Sequence, residues 1–302
     1  MKDIMGLKDI AFPNLGLYLE NIPQGFYVGN LFIHFYGCLI AIGVISGIYM
    51  AAHVAKKTGQ NPDIYWDFYP YAVIFSIIGA RIYYVVFQWK EFEGDLLSIF
   101  NLRQGGIAIY GAVIGAFITL FTFCKIKKQN ALLMGDTAMP GLILGQVIGR
   151  WGNFFNREVF GGYTDSLLAM RIPIDMVRDR SDITAEISAH ITEGTNYIQV
   201  HPTFFYESAL NLLVLILMLV YTKHKKFDGE ICLLYLGGYG IIRFFVEGMR
   251  TDQLMLSGTN IPVSQLVGIV CFVGAVVADV VIRMVLKKKK VGENPKTEEN
   301  QI

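Results

Sequence analysis

The sequence predicts an all-α polytopic membrane protein with seven transmembrane helices, an external N-terminus, a cytoplasmic C-terminus and a small external head domain. Hydrophobic residues make up 53% of the 302 residues, which is high for a water-soluble domain of this length. Seven apolar stretches approach the roughly 20 residues that cross a bilayer as a helix. None of them alternates polar and apolar residues with a period of two, so helices are favoured over barrel strands.

The seven predicted spans follow one another along most of the chain. They cover residues 31–54, 65–88, 106–124, 132–151, 203–222, 231–246 and 263–286. Polar residues interrupt the fourth and sixth spans, which fit a membrane helix least well. Lysine clusters follow only the odd-numbered spans, at positions 56–57, 125–128, 223–226 and 287–290. Because lysine is enriched in cytoplasmic loops, this side is predicted to be cytoplasmic, and seven spans then place the N-terminus outside.

The spans fall into two groups, residues 31–156 and 201–286, and three further segments flank or separate them. Residues 1–30 lack the apolar core of a cleaved signal peptide and are expected to form an external amphipathic or loop segment. Residues 157–200 contain turn signals and short strand-like runs, which predict a small head domain. Residues 287–302 are predicted to be a cytoplasmic tail, disordered beyond Lys290.

Cysteine spacing and net charge give little indication of partners. The four cysteines lie in or beside spans without the spacing of a metal or redox site, and we interpret them as small buried hydrophobic residues. The formal net charge of +1 is uninformative. The cysteine spacing suggests no metal, and we predict no metal, no cofactor and no nucleic-acid partner.

Polar side chains of six spans are predicted to lie at one depth, near the external face. In chain order they are His34 and Tyr36; Arg81; Gln104 and Tyr110; Arg150, Asn153 and Asn156; His201, Tyr206 and Glu207; and Tyr239, Arg243, Glu247 and Arg250. Such groups are costly inside a bilayer and indicate function by default. The inner halves are mostly apolar, so the pattern favours a chamber open to the outer leaflet over a path through the membrane.

Helical spacing groups the charged residues onto shared faces. Arg150 and Asn153 are three residues apart, and Arg243, Glu247 and Arg250 form one stripe. Separate arginines indicate an anionic ligand, because a guanidinium can give a phosphate two parallel hydrogen bonds.

Structural interpretations compete with function at several positions. The glycines at 145, 149 and 152 are better explained by close helix packing than by chemistry. Glu158 and Glu247 are equally consistent with positioning arginines and with direct participation. Arg81 could instead extend its charged end to the external face, although function is favoured there.

Four runs resemble the motifs of one bacterial enzyme family. Residues 149–158, GRWGNFFNRE, resemble the signature G-R-x-G-N-F-x-N-x-E of the prolipoprotein diacylglyceryl transferases. Residues 34–37 resemble its H-x-Y-G motif, 201–207 its H-P-[ST]-x-x-Y-E motif, and 239–250 its Y-G-x-x-R-F-x-V-E-x-x-R motif. The resemblance extends over the seven spans, whereas the predicted head domain and tail match only loosely.

The resemblance implies a transferase of lipoprotein biosynthesis, embedded among the lipids of the bacterial plasma membrane with its active site facing the external leaflet. The family moves the diacylglyceryl group of phosphatidylglycerol to the lipobox cysteine of a prolipoprotein signal peptide. The products are a thioether and glycerol-1-phosphate, and this is the first step of lipoprotein maturation. The chemistry needs a thiolate nucleophile and cations on the leaving phosphate.

Site residues follow from spacing and resemblance together. The predicted catalytic residues are Arg150, Asn153, Arg243, Tyr36, Tyr110, Glu158 and Tyr239. The predicted phosphatidylglycerol-binding residues are Arg150, Arg243, Arg81, Glu247, His34, His201 and Asn156.

Tyr110 departs from the family pattern, because members often carry at this position a histidine to which the role of base is assigned. With an ordinary pKa near 10, tyrosine is a weaker base at neutral pH. Tyr110, Tyr239 and a thiol ionised by the arginines therefore remain alternative sources of the thiolate.

Two other protein classes compete with this interpretation. A transporter or flippase for an anionic lipid would carry polar residues at the midplane and inner half, with interrupted helices in paired halves. A non-catalytic membrane scaffold gives no reason for two arginines and an asparagine-rich run at one depth.

Overall fold

The computed structural model describes residues 10–102 and 105–293, with side chains to residue 289. Its α-helices are, in chain order, α1 (Phe35–Lys57), α2 (Asp63–Phe87), α3 (Ile109–Lys127), α4 (Ala131–Asn156), α5 (Ala185–Ala189), α6 (Thr203–Tyr221), α7 (Glu230–Met249) and α8 (Val263–Glu293). All but the short α5 are long and apolar enough to cross a membrane. The prediction of seven apolar helices of membrane-spanning length is thereby confirmed.

The chain divides into two compact units, of which one comprises Ile48–Gly141. In this unit, α2 and α3 approach so closely that their glycines are required. A Cβ added to Gly111 would lie 2.3 Å from the carbonyl oxygen of Gly79, and one added to Gly115 would lie 2.4 Å from that of Phe75. Small residues that let helix backbones touch are typical of helix pairs in membranes.

The other unit comprises Met1–Gly47 and Leu142–Ile302, and contains α6, α7, α8 and the second part of α4. Here α7 packs on α8 through Gly240 and Gly268, since a Cβ added to either would lie 2.6 Å from the carbonyl oxygen of the other. Gly152 on α4 is similarly close to the ring of Tyr36 on α1. The glycine spacing of the sequence therefore corresponds to close helix packing, as predicted.

A four-stranded antiparallel sheet in the same unit combines distant parts of the chain. Its order is β2-β1-β5-β6, formed by β1 (Ile10–Phe12), β2 (Leu17–Leu19), β5 (Met170–Pro173) and β6 (Tyr197–Val200). Ile10, Ile172 and Ile198 are buried beneath it in one hydrophobic core. The N-terminal segment, expected to be an amphipathic or loop region, thus supplies two strands to the sheet that residues 170–200 complete.

Three predicted boundaries are wrong for local reasons. Residues 31–34 do not begin the first span: β3 (Gly25–Val28) and β4 (Leu31–His34) form a hairpin, and α1 begins only at Phe35. Gly105 and Gly106 have φ of 85° and 75°, so α3 starts at Ile109 rather than at 106. The lysine run continues α8 to Glu293, because lysine is a good helix former, so residues 291–293 are not disordered. Gln104 and residues 294–302 lie outside the described part of the chain.

Candidate active site

The end of α4 is shaped by a sharp reversal of the backbone. Arg157 and Val159 both have left-handed backbone angles, with φ of 55° and 58°, and a branched residue such as valine rarely adopts them. The reversal turns Glu158 back toward the helix, where its N–H donates to the carbonyl of Asn153 at 3.2 Å. Strained residues of this kind concentrate at functional sites.

The Glu158 carboxylate gathers the polar groups of this turn. One of its oxygens accepts hydrogen bonds from the amides of Asn153 and Asn156, each at 3.0 Å, and the other is paired with Arg178. Both asparagines are buried. Glu158 therefore fixes the two carboxamides of the predicted site, and Arg178 supports it from the segment between α4 and α6.

Arg157 anchors the reversal rather than facing a ligand. Its side chain is fully buried and donates to the carbonyls of Phe155 and Ile22, which joins the turn to the N-terminal segment. Burial lowers the pKa of its guanidinium. Arg157 thus helps to hold Glu158 in position.

Arg150 on α4 and Arg243 on α7 meet at one buried carboxylate. Glu207 on α6 pairs with Nη2 of Arg150 at 2.5 Å through Oε1 and with Nη1 of Arg243 at 3.4 Å through Oε2. The Glu207 side chain is 1% exposed, whereas those of Arg150 and Arg243 are 20% and 13% exposed. We call these three residues the arginine pair and its bridging glutamate.

Further charges extend this cluster along α7. Arg243 also pairs with Glu247, which lies 3.6 Å from Arg250. Arg250 in turn donates two hydrogen bonds to Asp252, at 2.8 and 2.6 Å. Burial alone would lower the pKa of Arg250, but its bonds to Asp252 outweigh burial and raise it. Arg250 is therefore held by acids on two sides.

Asn153 connects the two groups of charges. Its amide nitrogen donates to Glu158 at 3.0 Å, and its oxygen lies 3.5 Å from Nη1 of Arg150, the limit of a hydrogen bond. Glu158, Asn153, Arg150, Glu207 and Arg243 consequently form one continuous polar network. The structure brings together four of the predicted catalytic residues in it.

Two predicted tyrosines lie in the same unit. Tyr239 stacks on Tyr235, with ring centroids 5.7 Å apart, and its hydroxyl is close enough to Arg150 to interact with it. Tyr36 packs its ring on Gly152, at the turn that carries Asn153. Both positions are compatible with a role at the network.

The two predicted histidines have mainly structural contacts. His34 is exposed at the end of the hairpin, where it pairs with Gly25. Nδ1 of His201 lies 3.2 Å from the hydroxyl of Tyr206, and burial lowers the pKa of its imidazole. A lowered pKa favours the uncharged imidazole of His201.

Arg81 and Tyr110 belong to the other unit, Ile48–Gly141. Among the described residues, Arg81 donates to five backbone carbonyls, those of Ile99, Gly105, Gly106, Ser98 and Asn101. These bonds use all five of its N–H groups, which favours a structural role over lipid binding. Tyr110 lies in the first turn of α3, which follows the carbonyls that Arg81 binds.

Glu207 and Arg178 were not predicted as site residues. Glu207 lies in the HPTFFYE run, one turn into α6, and its place in that run was the available signal. Arg178 lies in a segment without helical periodicity, and nothing in its sequence context indicates a partner.

The fold and the network define a polytopic membrane protein with a buried, arginine-rich site suited to an anionic group. The family model of prolipoprotein diacylglyceryl transferase matches residues 23–281, and the chain belongs to this family.

Relatives named phosphatidylglycerol–prolipoprotein diacylglyceryl transferase are similar over nearly their whole length. One from Clostridium botulinum (strain Loch Maree / Type A3) is 37% identical over 89% of this chain and 98% of its own. One from Finegoldia magna is 39% identical over 90% and 98%. One from Limosilactobacillus reuteri is 40% identical over 89% and 94%.

Proposed function

We propose that this transferase moves the diacylglyceryl group of phosphatidylglycerol to the lipobox cysteine of a prolipoprotein, and that Arg150 and Arg243 bind the phosphate. The observation that carries the proposal is the arginine pair with its bridging glutamate. Two guanidiniums from different helices share one buried carboxylate and keep part of their surface exposed.

Both arginines have hydrogen-bond donors left for a ligand. A guanidinium has five N–H groups. The bonds of Arg150 to Glu207 and Asn153 use two of them and the Tyr239 hydroxyl lies close enough to take a third, whereas the bonds of Arg243 to Glu207 and Glu247 use two. The remaining donors suit the oxygens of a phosphate, and a water-poor site strengthens such contacts.

The transfer breaks one bond and forms another at a single carbon. The thiolate sulfur attacks the glyceryl carbon that carries the phosphate ester, and a C–S bond forms as the C–O bond to phosphate breaks. The electron pair of that bond leaves with glycerol-1-phosphate as a phosphate monoester. Arg150 and Arg243 would stabilise the charge that develops on this leaving group, which is the largest contribution that such a site can make.

Glu207, Asn153 and Glu158 are positioning residues in this proposal. Glu207 orients both guanidiniums, and because both bind it, its carboxylate is a poor acceptor for the thiol proton. Glu158 holds Asn153, which in turn lies against Arg150. Fixed donors need no reorganisation when charge develops, and this is the advantage of a rigid network.

The thiol proton has several possible acceptors. Tyr239 lies beside Arg150, and Tyr110 opens α3 in the other unit. A third possibility is that the arginines favour the thiolate directly, so that water takes the proton.

The proposed orientation places the network at the external leaflet of the plasma membrane. The lysine clusters support it, because they lie at or near the C-terminal ends of α1, α3, α6 and α8 and so mark one side as cytoplasmic. Residues 157–200, which contain β5, α5 and β6, would then form an external head domain together with β1 and β2.

A thioether assay tests the reaction. Purified protein in phosphatidylglycerol vesicles is given a lipobox peptide, and the peptide mass is expected to rise by one diacylglyceryl group. A matched peptide with serine in place of cysteine should gain nothing. Movement of lipid across the bilayer without any change in peptide mass would favour a flippase and contradict the proposal.

Cysteine labelling tests the orientation. In a chain whose native cysteines are replaced by alanine, Glu193→Cys should react with an impermeant maleimide added to intact cells. Lys125→Cys and Lys223→Cys should react only after permeabilisation. All three wild-type residues are exposed, so a reversed pattern would overturn the orientation and cannot be ascribed to burial.

A further inference from the structure

A second set of polar side chains lies one helical turn from the arginine pair. Gln146 on α4, Asn211 on α6 and Tyr235 on α7 each stand four residues from Arg150, Glu207 and Tyr239 respectively. Four residues of α-helix span about 6 Å. In every case the shift leads away from the helix end that lies near the network, toward the N-terminus in α4 and α7 and toward the C-terminus in α6. The three residues therefore form an inner polar set, deeper in the helices than the network.

Both amides of the inner polar set have polar atoms without a hydrogen-bond partner among the described residues. Asn211 is 0% exposed, and neither its Oδ1 nor its Nδ2 has a hydrogen-bond partner among the described residues. The Oε1 of Gln146 also lacks one in the described chain, while its Nε2 donates to the hydroxyl of Tyr235 at 2.9 Å. Buried amides are nearly always paired, and unpaired ones within a membrane indicate a binding function.

Asn211 lies on the side of α6 that faces its neighbours. Glu207, one turn away, binds Arg150 on α4 and Arg243 on α7. Ser208, three residues away, donates to the carbonyl of Val147, which is next to Gln146. The polar stripe of α6 therefore continues from the arginine pair toward the level of Gln146.

We propose that Asn211 and Gln146, with Tyr235 holding the Gln146 amide, bind the ester carbonyls of the lipid's diacylglyceryl group. The inference rests on the proposed function, because it takes the lipid phosphate to lie on Arg150 and Arg243. The two ester groups of such a lipid lie on the acyl side of the phosphate, only a few bonds away. Acyl chains directed toward the helix midpoints bring the ester oxygens to the inner polar set.

The donors of the inner polar set match this ligand. An asparagine amide offers two N–H groups, and a carbonyl oxygen accepts one or two. Turning the Gln146 amide by half a turn lets Tyr235 donate to its Oε1 and frees Nε2 for the ligand, and the two orientations have the same shape. The inner polar set would thus select lipids whose chains are attached through esters, because only these linkages carry carbonyl oxygens.

A comparison of two lipids tests the inference. Initial rates of thioether formation by the full chain are measured with diester phosphatidylglycerol and with a dialkyl-ether phosphatidylglycerol of equal chain length. The reacting carbon is the same in both, but the ether lipid has no carbonyls. The wild type should prefer the diester about tenfold, the effect of roughly one hydrogen bond.

Substitutions then locate the preference. Asn211→Leu and Gln146→Leu should each lower the diester-to-ether ratio toward one, chiefly through a loss of rate on the diester. Leu212→Ala, at the adjacent and exposed position on α6, should keep the wild-type ratio. Arg243→Lys should slow both lipids and leave the ratio unchanged.

The outcomes separate this inference from the proposed function. Equal wild-type rates on both lipids would overturn the carbonyl subsite while leaving the transfer reaction intact. A ratio that survives both leucine substitutions, with both rates lowered alike, would also overturn it and would indicate that the amides hold only water. Failure to form a thioether from either lipid would instead contradict the proposed function.

Discussion

Arg81 and the pair Arg150–Arg243 illustrate two different uses of an arginine within a membrane helix. Arg81 gives every N–H to a backbone carbonyl, so the chain around it fully solvates its charge. Arg150 and Arg243 share one carboxylate and retain donors. The acceptors of a buried guanidinium, more than its depth, therefore indicate whether it can bind a ligand.

Substitutions at the two kinds of arginine should therefore affect stability and activity differently. Five carbonyl contacts tie Arg81 to residues 98, 99, 101, 105 and 106, and replacing it should weaken the fold. The arginine pair is balanced by acids, and its spare donors contribute little until an anion is bound. Substitutions that separate stability from activity therefore test the comparison directly.

The largest effect on activity is expected from Arg150→Lys and Arg243→Lys. A lysine cannot reproduce the planar, two-point contact with phosphate. Loss of one or two hydrogen bonds to a charged group reduces kcat/KM by about a hundredfold or more. Initial rates in the thioether assay measure this, with Arg180→Lys at an exposed position as the control. Wild-type turnover by either variant would remove that arginine from the phosphate site.

Glu207→Gln should come next, with a loss of about tenfold to 150-fold. The amide keeps the shape of the side chain but not the charge that orients both guanidiniums. Glu230→Gln is a matched control, because Glu230 on α7 is also 3% exposed or less and is paired with Arg283. It should lower the melting temperature without slowing the folded enzyme. Equal losses of activity in both variants would show that Glu207→Gln acts through lost stability and not through the orientation of the arginines.

Tyr110→Phe should retain measurable turnover, because we expect its hydroxyl to contribute at most one hydrogen bond to a charged headgroup. The loss is then about tenfold or somewhat more. A rate that climbs with pH equally in wild type and variant would exclude Tyr110 as the titrating group. Complete loss at neutral pH, with lipid binding retained and activity restored by Tyr110→His, would instead identify it as the base.

Arg81→Lys should have the smallest effect on activity, less than about tenfold, and a clear effect on stability. Lysine has three N–H donors where arginine has five, so at least two carbonyls lose their partner. Thermal unfolding in detergent, measured beside the rate, should show a melting temperature several degrees lower. A hundredfold loss of rate with unchanged melting would place Arg81 among the lipid-binding residues and break the comparison.

Hydropathy was sufficient to predict the seven helices, because a long apolar run follows from the cost of burying polar groups in lipid. The helix ends were harder to predict. The hairpin that delays α1 and the left-handed glycines that delay α3 depend on backbone geometry, which an apolar run conceals. Residue spacing along single helices correctly grouped Arg150 with Asn153 and Arg243 with Glu247.

Contacts between helices could not be predicted in the same way. Glu207 was visible in its motif, but its bridging role depends on how α4, α6 and α7 pack. The acceptors of Arg81 are backbone carbonyls, which every residue possesses, so no side-chain pattern indicates them. Arg178 reaches Glu158 only because of the reversal at Arg157 and Val159, which sequence periodicity does not reveal.

The strand order β2-β1-β5-β6 has a consequence for how the chain is made. Asn14, between β1 and β2, donates to the carbonyl of Asp165, which is 151 residues further along. At a synthesis rate of about 5–20 residues per second, the first strands wait on the order of ten seconds for their partner. Four membrane helices emerge during that interval. The N-terminal strands are thus translated first but complete their pairing late. The turn that positions Glu158 likewise gains its contact with Ile22 only after Arg157 has been synthesised.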